Sequence, residues 1–230
     1  MQSNHENHHR PIRSFVRREG RITPAQRRAL DELWPRFGLD ADVSVDTETV
    51  FGRVRPTIVE VGFGNGGALL QMAEENPDKN YIGMDTHRPG AGRLLLQLAE
   101  REITNVRVMC EDAKLILEKS FSPDSIDTVL IFFPDPWHKK RHHKRRLIQT
   151  GFVKSIVQAL KPGGRIYVAT DWRDYAEHIM QVLSNEPALE NCVGKFQYAR
   201  RPGYRPLTKY EQRSQALGHE VWDMIFHKAI

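Results

Sequence analysis

The segment Thr57-Ile-Val-Glu-Val-Gly-Phe-Gly-Asn-Gly-Gly67 leaves this chain few folds to choose from. Ile58, Val59 and Val61 form an apolar run of the kind found in a strand buried on both faces. The chain then turns on Gly62, Gly64, Gly66 and Gly67, and a helical pattern follows at once through Leu69, Leu70, Met72 and Ala73. Strand, glycine turn and helix start together make a nucleotide-type cofactor site. Glycines let the backbone turn sharply and let a ligand come close, and the free N–H groups at a helix start favour anionic or polar groups.

By itself the stretch fits two ligands. Gly62-x-Gly64-x-x-Gly67 matches the dinucleotide fingerprint of an NAD-dependent dehydrogenase. Gly62-x-Gly64-x-Gly66, placed after Glu60, equally fits the first motif of methyltransferases that use S-adenosylmethionine (SAM). The rest of the chain has to choose between them.

From residue 57 strands and helices alternate. Expected strands are Tyr81–Met84, Val106–Met109, Thr128–Phe133, Arg165–Ala169 and Val221–Phe226. Expected helices carry Leu94, Leu95, Leu98 and Ala99; Ala113 to Lys119; Phe152, Ile156, Val157 and Leu160, stopped by Lys161-Pro-Gly-Gly164; and about Trp172 to Leu183. Repeated β–α units imply an α/β fold, a mostly parallel sheet with helices on both faces. Upstream, Thr23-Pro24-Ala25-Gln26 reads as a capped helix start, with Pro35 and Gly38 ending that helix. Residues 39–56 read as an irregular connection. Residues 1–22 read as a mobile basic tail, and 23–230 as a single domain.

Acids fall where ligands bind in such sheets, beyond the C-terminal ends of the strands. Asp85, Asp112, Asp135 and Asp171 each follow a strand, and Glu60 lies inside the first. Asp85 is 21 residues after Gly64, the distance of a carboxylate that accepts from a ribose diol. Asp112 is placed to meet an adenine amino group, or to cap the following helix. The fourth strand runs into Phe132-Phe-Pro-Asp-Pro-Trp137, where two prolines fix the backbone around Asp135 and aromatic rings flank it, surfaces on which a base can stack.

The charge pattern names a partner. Net charge is +5, but residues 1–28, 136–146 and 195–213 together carry +16, leaving −11 on the rest of the chain. A basic surface on an otherwise acidic protein points to nucleic acid. No apolar run approaches the roughly 18 residues of a membrane span, and the N-terminus lacks the apolar core of a secretory signal. Two cysteines without metal-type spacing fit a reduced, cytoplasmic protein.

Leu130-Ile-Phe-Phe-Pro-Asp-Pro-Trp-His-Lys-Lys-Arg-His-His-Lys-Arg-Arg146 closely resembles the core motif of the bacterial tRNA (guanine-N(7)-)-methyltransferases, the TrmB family. Glu60-Val-Gly-Phe-Gly-Asn-Gly66, His87-Arg-Pro-Gly90, Ala169-Thr-Asp-Trp172 and Arg205-Pro-Leu-Thr-Lys-Tyr-Glu-Gln-Arg213 extend the resemblance, which spans roughly Ser14 to the C-terminus. It implies a class I SAM-dependent methyltransferase fold (Rossmann-like) and methylation of a guanine N7 in the tRNA variable loop. By this resemblance Glu60, Gly62, Gly64, Gly66, Asp85, Asp112 and Asp135 contact SAM, and Asp135 is catalytic. Lys139, Asp171, Thr208, Lys209, Tyr210 and Glu211 contact the substrate, and Arg141, His142, His143, Lys144, Arg145 and Arg146 contact RNA. The family more often carries Glu where this chain has Asp85.

Other readings stand beside these. A dehydrogenase explains the glycines and Asp85 but not the basic run beside Asp135. A non-catalytic RNA-binding module on the same fold explains the charge but not the set of acids. Thr208-x-x-Glu211 is also a capping box, and Asp171 also suits the cap of the following helix. His138, His142 and His143 suggest a metal, but a flexible cationic loop makes a poor cage for one, and no metal is expected.

Overall fold

A computed structural model describes residues 20–207, 211, 212, 218 and 220–230. Its sheet has seven strands in the order β3-β2-β1-β4-β5-β7-β6. They are β1 Thr57–Val61, β2 Asn80–Met84, β3 Val106–Met109, β4 Ile126–Phe132, β5 Leu160–Thr170, β6 Leu189–Asn191 and β7 Trp222–Lys228. The first five are parallel, and β7 runs antiparallel to both β5 and β6. The strand order reverses between β1 and β4, and that switch point opens a crevice at their C-terminal ends.

Period-two alternation divides the core between the two faces of the sheet. Val59 and Val61 of β1 join Ile82, Met84, Ile116, Ile156 and Ile179, under helices α6 Ala113–Lys119, α7 Thr150–Ala159 and α8 Arg173–Ser184. Ile58 joins Leu69, Tyr81, Leu94, Leu98 and Leu130, under α1 Pro24–Glu32, α4 Gly67–Glu75 and α5 Arg88–Glu100. The capping box of α1 is formed in both directions between Thr23 and Gln26.

Three local expectations differ. Residues 39–56 are not wholly irregular: Asp46 caps a short helix, α3 Thr47–Phe51, by accepting from the amides of Glu48 and Thr49, and Gly52 closes it in the left-handed region at φ +66°. Pro35 does not end α1. It occupies the first turn of a further short helix, α2 Trp34–Phe37, where its missing N–H costs nothing. Lys161-Pro-Gly-Gly164 follows the end of α7 at Ala159 but belongs to β5, as an irregularity where pairing jumps from Ile126–Leu160 to Thr128–Arg165.

Candidate functional site

The end of β1 and the end of β4 build the site from opposite sides of the crevice. Gly62 and Gly64 lie at φ +82° and +58°, backbone that L side chains rarely adopt, and a Cβ on either would point into open space. The turn is pinned from β2. Asp85 Oδ2 accepts from the Gly64 amide at 2.7 Å, and Oδ1 accepts from the His87 amide at 2.9 Å. His87 in turn caps α5 by accepting from the Gly90 amide. A Cβ at Gly90 would collide with the Gly64 carbonyl, so this glycine is what lets α5 approach the turn. His87-Arg-Pro-Gly90 is thus the outer wall of the glycine turn. Burial raises the Asp85 carboxyl, and these amide hydrogen bonds act against that.

Glu60 is buried inside β1, and its Oε2 has no hydrogen-bond partner among the described residues. Burial, with the nearby Asp85 charge adding, pushes its carboxyl up to about 8. A buried carboxyl with an unfilled acceptor beneath an open glycine cradle is suited to receive a donor or cationic group from a ligand.

Asp112 serves in two ways: its Oδ1 accepts from the Lys114 amide and caps α6, and it lines the cleft. That cleft, about 220 Å³, is walled by Gly62, Asp85, Asp112, Phe133 and Asp135. A larger cavity of about 650 Å³ lies alongside, lined by Trp34, Arg88, Cys110 and Lys119, with Glu111 shared between the two. The smaller one is the candidate functional cleft, because the glycine turn and three of the strand-end acids meet there.

Phe133 and Trp137, on either side of Pro134-Asp135-Pro136, lie at φ +52° and +50°. The turn is held on the sheet by the Phe133 amide, which donates to the Ala169 carbonyl at 2.8 Å. Asp135 is exposed at the mouth of the cleft. The basic run that follows is a 3-10 helix, Lys140–Arg145, rather than a loose loop. Arg141 and Lys144 are exposed, while Arg145 stacks on Trp137 with its guanidinium 4.1 Å from the ring centre. Local desolvation and the cations Arg141, Arg145, Lys139 and Lys144 hold His142 below the usual histidine range. Arg146 does not share this exposure: it is buried, only 2% accessible.

Lys139 is exposed at the start of that 3-10 helix. Asp171 follows β5 at the same end of the sheet, and it does not cap α8, whose cap residue is Trp172 with no side-chain cap bond. Thr208, Lys209 and Tyr210, and with Thr208 the expected capping box, lie outside the described residues. Glu211 is fully buried. It accepts two hydrogen bonds from Arg205, at 2.6 and 2.9 Å, and one from Arg201 at 2.8 Å. Arg205 also reaches Asp223 at 3.1 Å and lies 5.6 Å from the Phe133 ring centre, under the Asp135 turn.

Sequence reasoning gave Glu211 a role but gave none to Arg201 and Arg205, which hold it, or to Asp223, which accepts from Arg205 in turn. The available signal was Asp223 itself, an acid within the otherwise apolar run Val221–Phe226. Among the described residues no group of three or more His, Cys, Asp or Glu side chains is placed to hold a metal, and no helix is long and apolar enough to cross a membrane.

Residues 54–224 match the family described as "Putative methyltransferase". The chain is 52% identical to the tRNA (guanine-N(7)-)-methyltransferase of Nitrosospira multiformis, over 96% of each chain. It is 51% identical to the protein of the same name from Hydrogenovibrio crunogenus, over 96% of this chain and 92% of that one. Among solved structures, the 16S rRNA methyltransferase KamB superposes with a TM-score of 0.61 at 14% identity, over 81% of this chain and 95% of that one, a likeness of fold.

Proposed function

The chain belongs to the tRNA (guanine-N(7)-)-methyltransferase family, and on that premise we propose that the cleft between β1 and β4 carries a methyl group from SAM to N7 of a guanine in the tRNA variable loop. The meeting of the glycine turn, Glu60, Asp85 and Asp112 with the Pro-Asp-Pro turn in one crevice carries this reading. We read residues 23–230 as the single domain that performs the reaction, in the cytoplasm.

The cofactor fits what the residues offer: open space over Gly62 and Gly64, and an unfilled buried acceptor on Glu60. When bound, SAM supplies a methyl group on a positively charged sulfur. Asp85 keeps the glycine turn in shape through the Gly64 amide, and Asp112 borders the other end of the cleft. Guanine N7 has an in-plane lone pair and no proton to lose, so no general base is required. Placement and electrostatics carry the rate. Asp135, at the mouth of the cleft, aligns the base and stabilises the positive charge that passes to the purine ring. Asp171, at the end of β5, is assigned to the N1–H and amino edge of guanine, which would exclude adenine. Glu211 is occupied by Arg201 and Arg205, so its part is to hold Arg205 beside the Phe133 ring. Lys139 and the exposed cations of the 3-10 helix face the phosphates.

The test is methyl transfer from labelled SAM to bulk tRNA, followed by nucleoside mapping. One methyl group at guanine N7 in the variable loop is expected. No incorporation, or label on another atom, would refute the reading, and equilibrium binding of SAM against NAD would separate the dehydrogenase.

A further inference from the structure

Arg146 closes the basic run beside Asp135, and in sequence nothing sets it apart from its neighbours. In the fold it is separate from them. Its side chain is 2% accessible, whereas Arg141 and Lys144 are exposed. Its guanidinium packs over the ring of Tyr175, 4.8 Å from the centre. Nε donates to the Pro136 carbonyl at 3.0 Å, Nη2 donates to Asp174 Oδ2, and His143 Nε2 lies 3.1 Å from Nη2. The pairing with Arg146 holds the Asp174 carboxyl below the usual carboxylate range. A guanidinium committed in this way, under a layer of protein, is not presented to a phosphate.

The two partners are informative. Pro136 is the residue after Asp135. Its carbonyl precedes Trp137, whose φ of +50° takes it out of any helix or strand ladder, and Arg146 supplies the missing donor. Asp174 lies in the first turn of α8, three residues after Asp171. One side chain therefore ties the loop after β4 to the start of the helix after β5.

We infer that Arg146 is a positioning residue that fixes the Asp135 turn relative to the Asp171 loop, and that it does not bind a phosphate. The inference rests on the methyl-transfer reading for its kinetic consequence but not for its structural one. If the turn loosens, Asp135 shifts by a fraction of its own length, and misplacement on the scale of 1 Å can cost about 100-fold in rate.

The experiment compares Arg146→Met, Arg146→Lys and Arg141→Ala with the parent protein. Three quantities are read: the salt dependence of tRNA binding, the single-turnover rate at saturating tRNA and SAM, and amide hydrogen exchange over residues 132–139. Arg146→Met should leave the log–log salt slope unchanged, lower the saturating rate by about 100-fold and speed exchange in the turn. Arg146→Lys should recover part of both losses, since an ammonium can hold one partner but not both. Arg141→Ala should flatten the slope by roughly 0.7–0.9 and leave exchange alone. A flattened slope for Arg146→Met, with rate and exchange like the parent, would make Arg146 an ordinary phosphate ligand and overturn the inference. Should Arg146→Met not fold, Asp174→Asn, at an exposed position, takes its place: a slower saturating rate and faster exchange are expected, and parent-like values for both overturn the inference. Should the parent protein methylate no tRNA, the functional reading fails, and hydrogen exchange still decides the role of Arg146.

Discussion

The Gly64 amide donates to Asp85 Oδ2 at 2.7 Å, so a carboxylate at the end of β2 sets the shape of the turn at the end of β1. The turn and its brace should therefore fail separately. Gly64→Val places a branched side chain in the open cradle at φ +58°, with a backbone cost of about 1–2 kcal/mol. The protein should still fold, with SAM binding abolished. Asp85→Asn leaves one oxygen where two amides need acceptors, and should weaken SAM binding while leaving the cradle open. Titration of SAM into each folded variant checks both, and near-parent affinity for Gly64→Val would place the cofactor elsewhere.

Glu60 gives the ligand-free site a pH signature. Its folded carboxyl titrates at about 8, against 4.5 for an ordinary glutamate. Between those values the folded protein holds a proton that the unfolded chain has released, so this group's contribution to stability is complete below about 4.5 and disappears as pH rises towards 8. If a donor from SAM fills the orphan acceptor, binding favours the ionised carboxylate, and near pH 6.5 it should release close to one proton at this residue. Calorimetry in two buffers of different ionisation enthalpy measures that proton. Glu60→Gln should remove both the release and the stability slope, and subtracting it separates Glu60 from the cofactor's own groups.

The exposed cations of the 3-10 helix should act on RNA alone. Changing Arg141 and Lys144 to Ala should weaken tRNA binding and reduce the salt slope by roughly 0.7–0.9 for each phosphate that is no longer neutralised. SAM affinity should hardly move. An unchanged slope would show that this surface is merely solvated.

Asp135 should matter for charge and placement, not for proton removal. At saturating SAM and tRNA the single-turnover rate should be nearly flat between about pH 6 and 8.5, because the nucleophile has no proton to give up. Asp135→Ala should be much slower than Asp135→Asn, which keeps the shape. A tRNA with 7-deazaguanosine at the target should bind with near-normal affinity and accept no methyl group. A rate rising tenfold per pH unit, with that dependence absent from Asp135→Asn, would identify a true base instead.

The β–α alternation and the strand-end acids were legible because they depend on local periodicity and on a general rule of open sheets. The third strand and the helix after it were expected at Val106–Met109 and Ala113–Lys119, where they are found. Strand β6 escaped notice because three residues hold no pattern, and its pairing with β7 joins segments distant in sequence. Helix α3 was signalled only by its ends, Asp46 and Gly52, with too short a stretch between them to show periodicity. A similar reason hid the two buried arginines. An arginine reads as surface charge wherever it stands, and only the fold brings Pro136 and Asp174 to Arg146, or Glu211 and Asp223 to Arg205.

The left-handed backbone at Phe133 and Trp137 also bears on how this protein can change over generations. Each position costs about 1–2 kcal/mol for a side-chain residue. Glycine or asparagine there would ease the backbone, but glycine at Trp137 would remove the ring on which Arg145 stacks, and either at Phe133 would remove an aromatic wall of the cleft. A lineage selected for heat resistance alone is drawn towards such replacements, and one selected for turnover is held away from them. The two aromatic residues beside Asp135 mark the place where endurance and activity are in direct conflict.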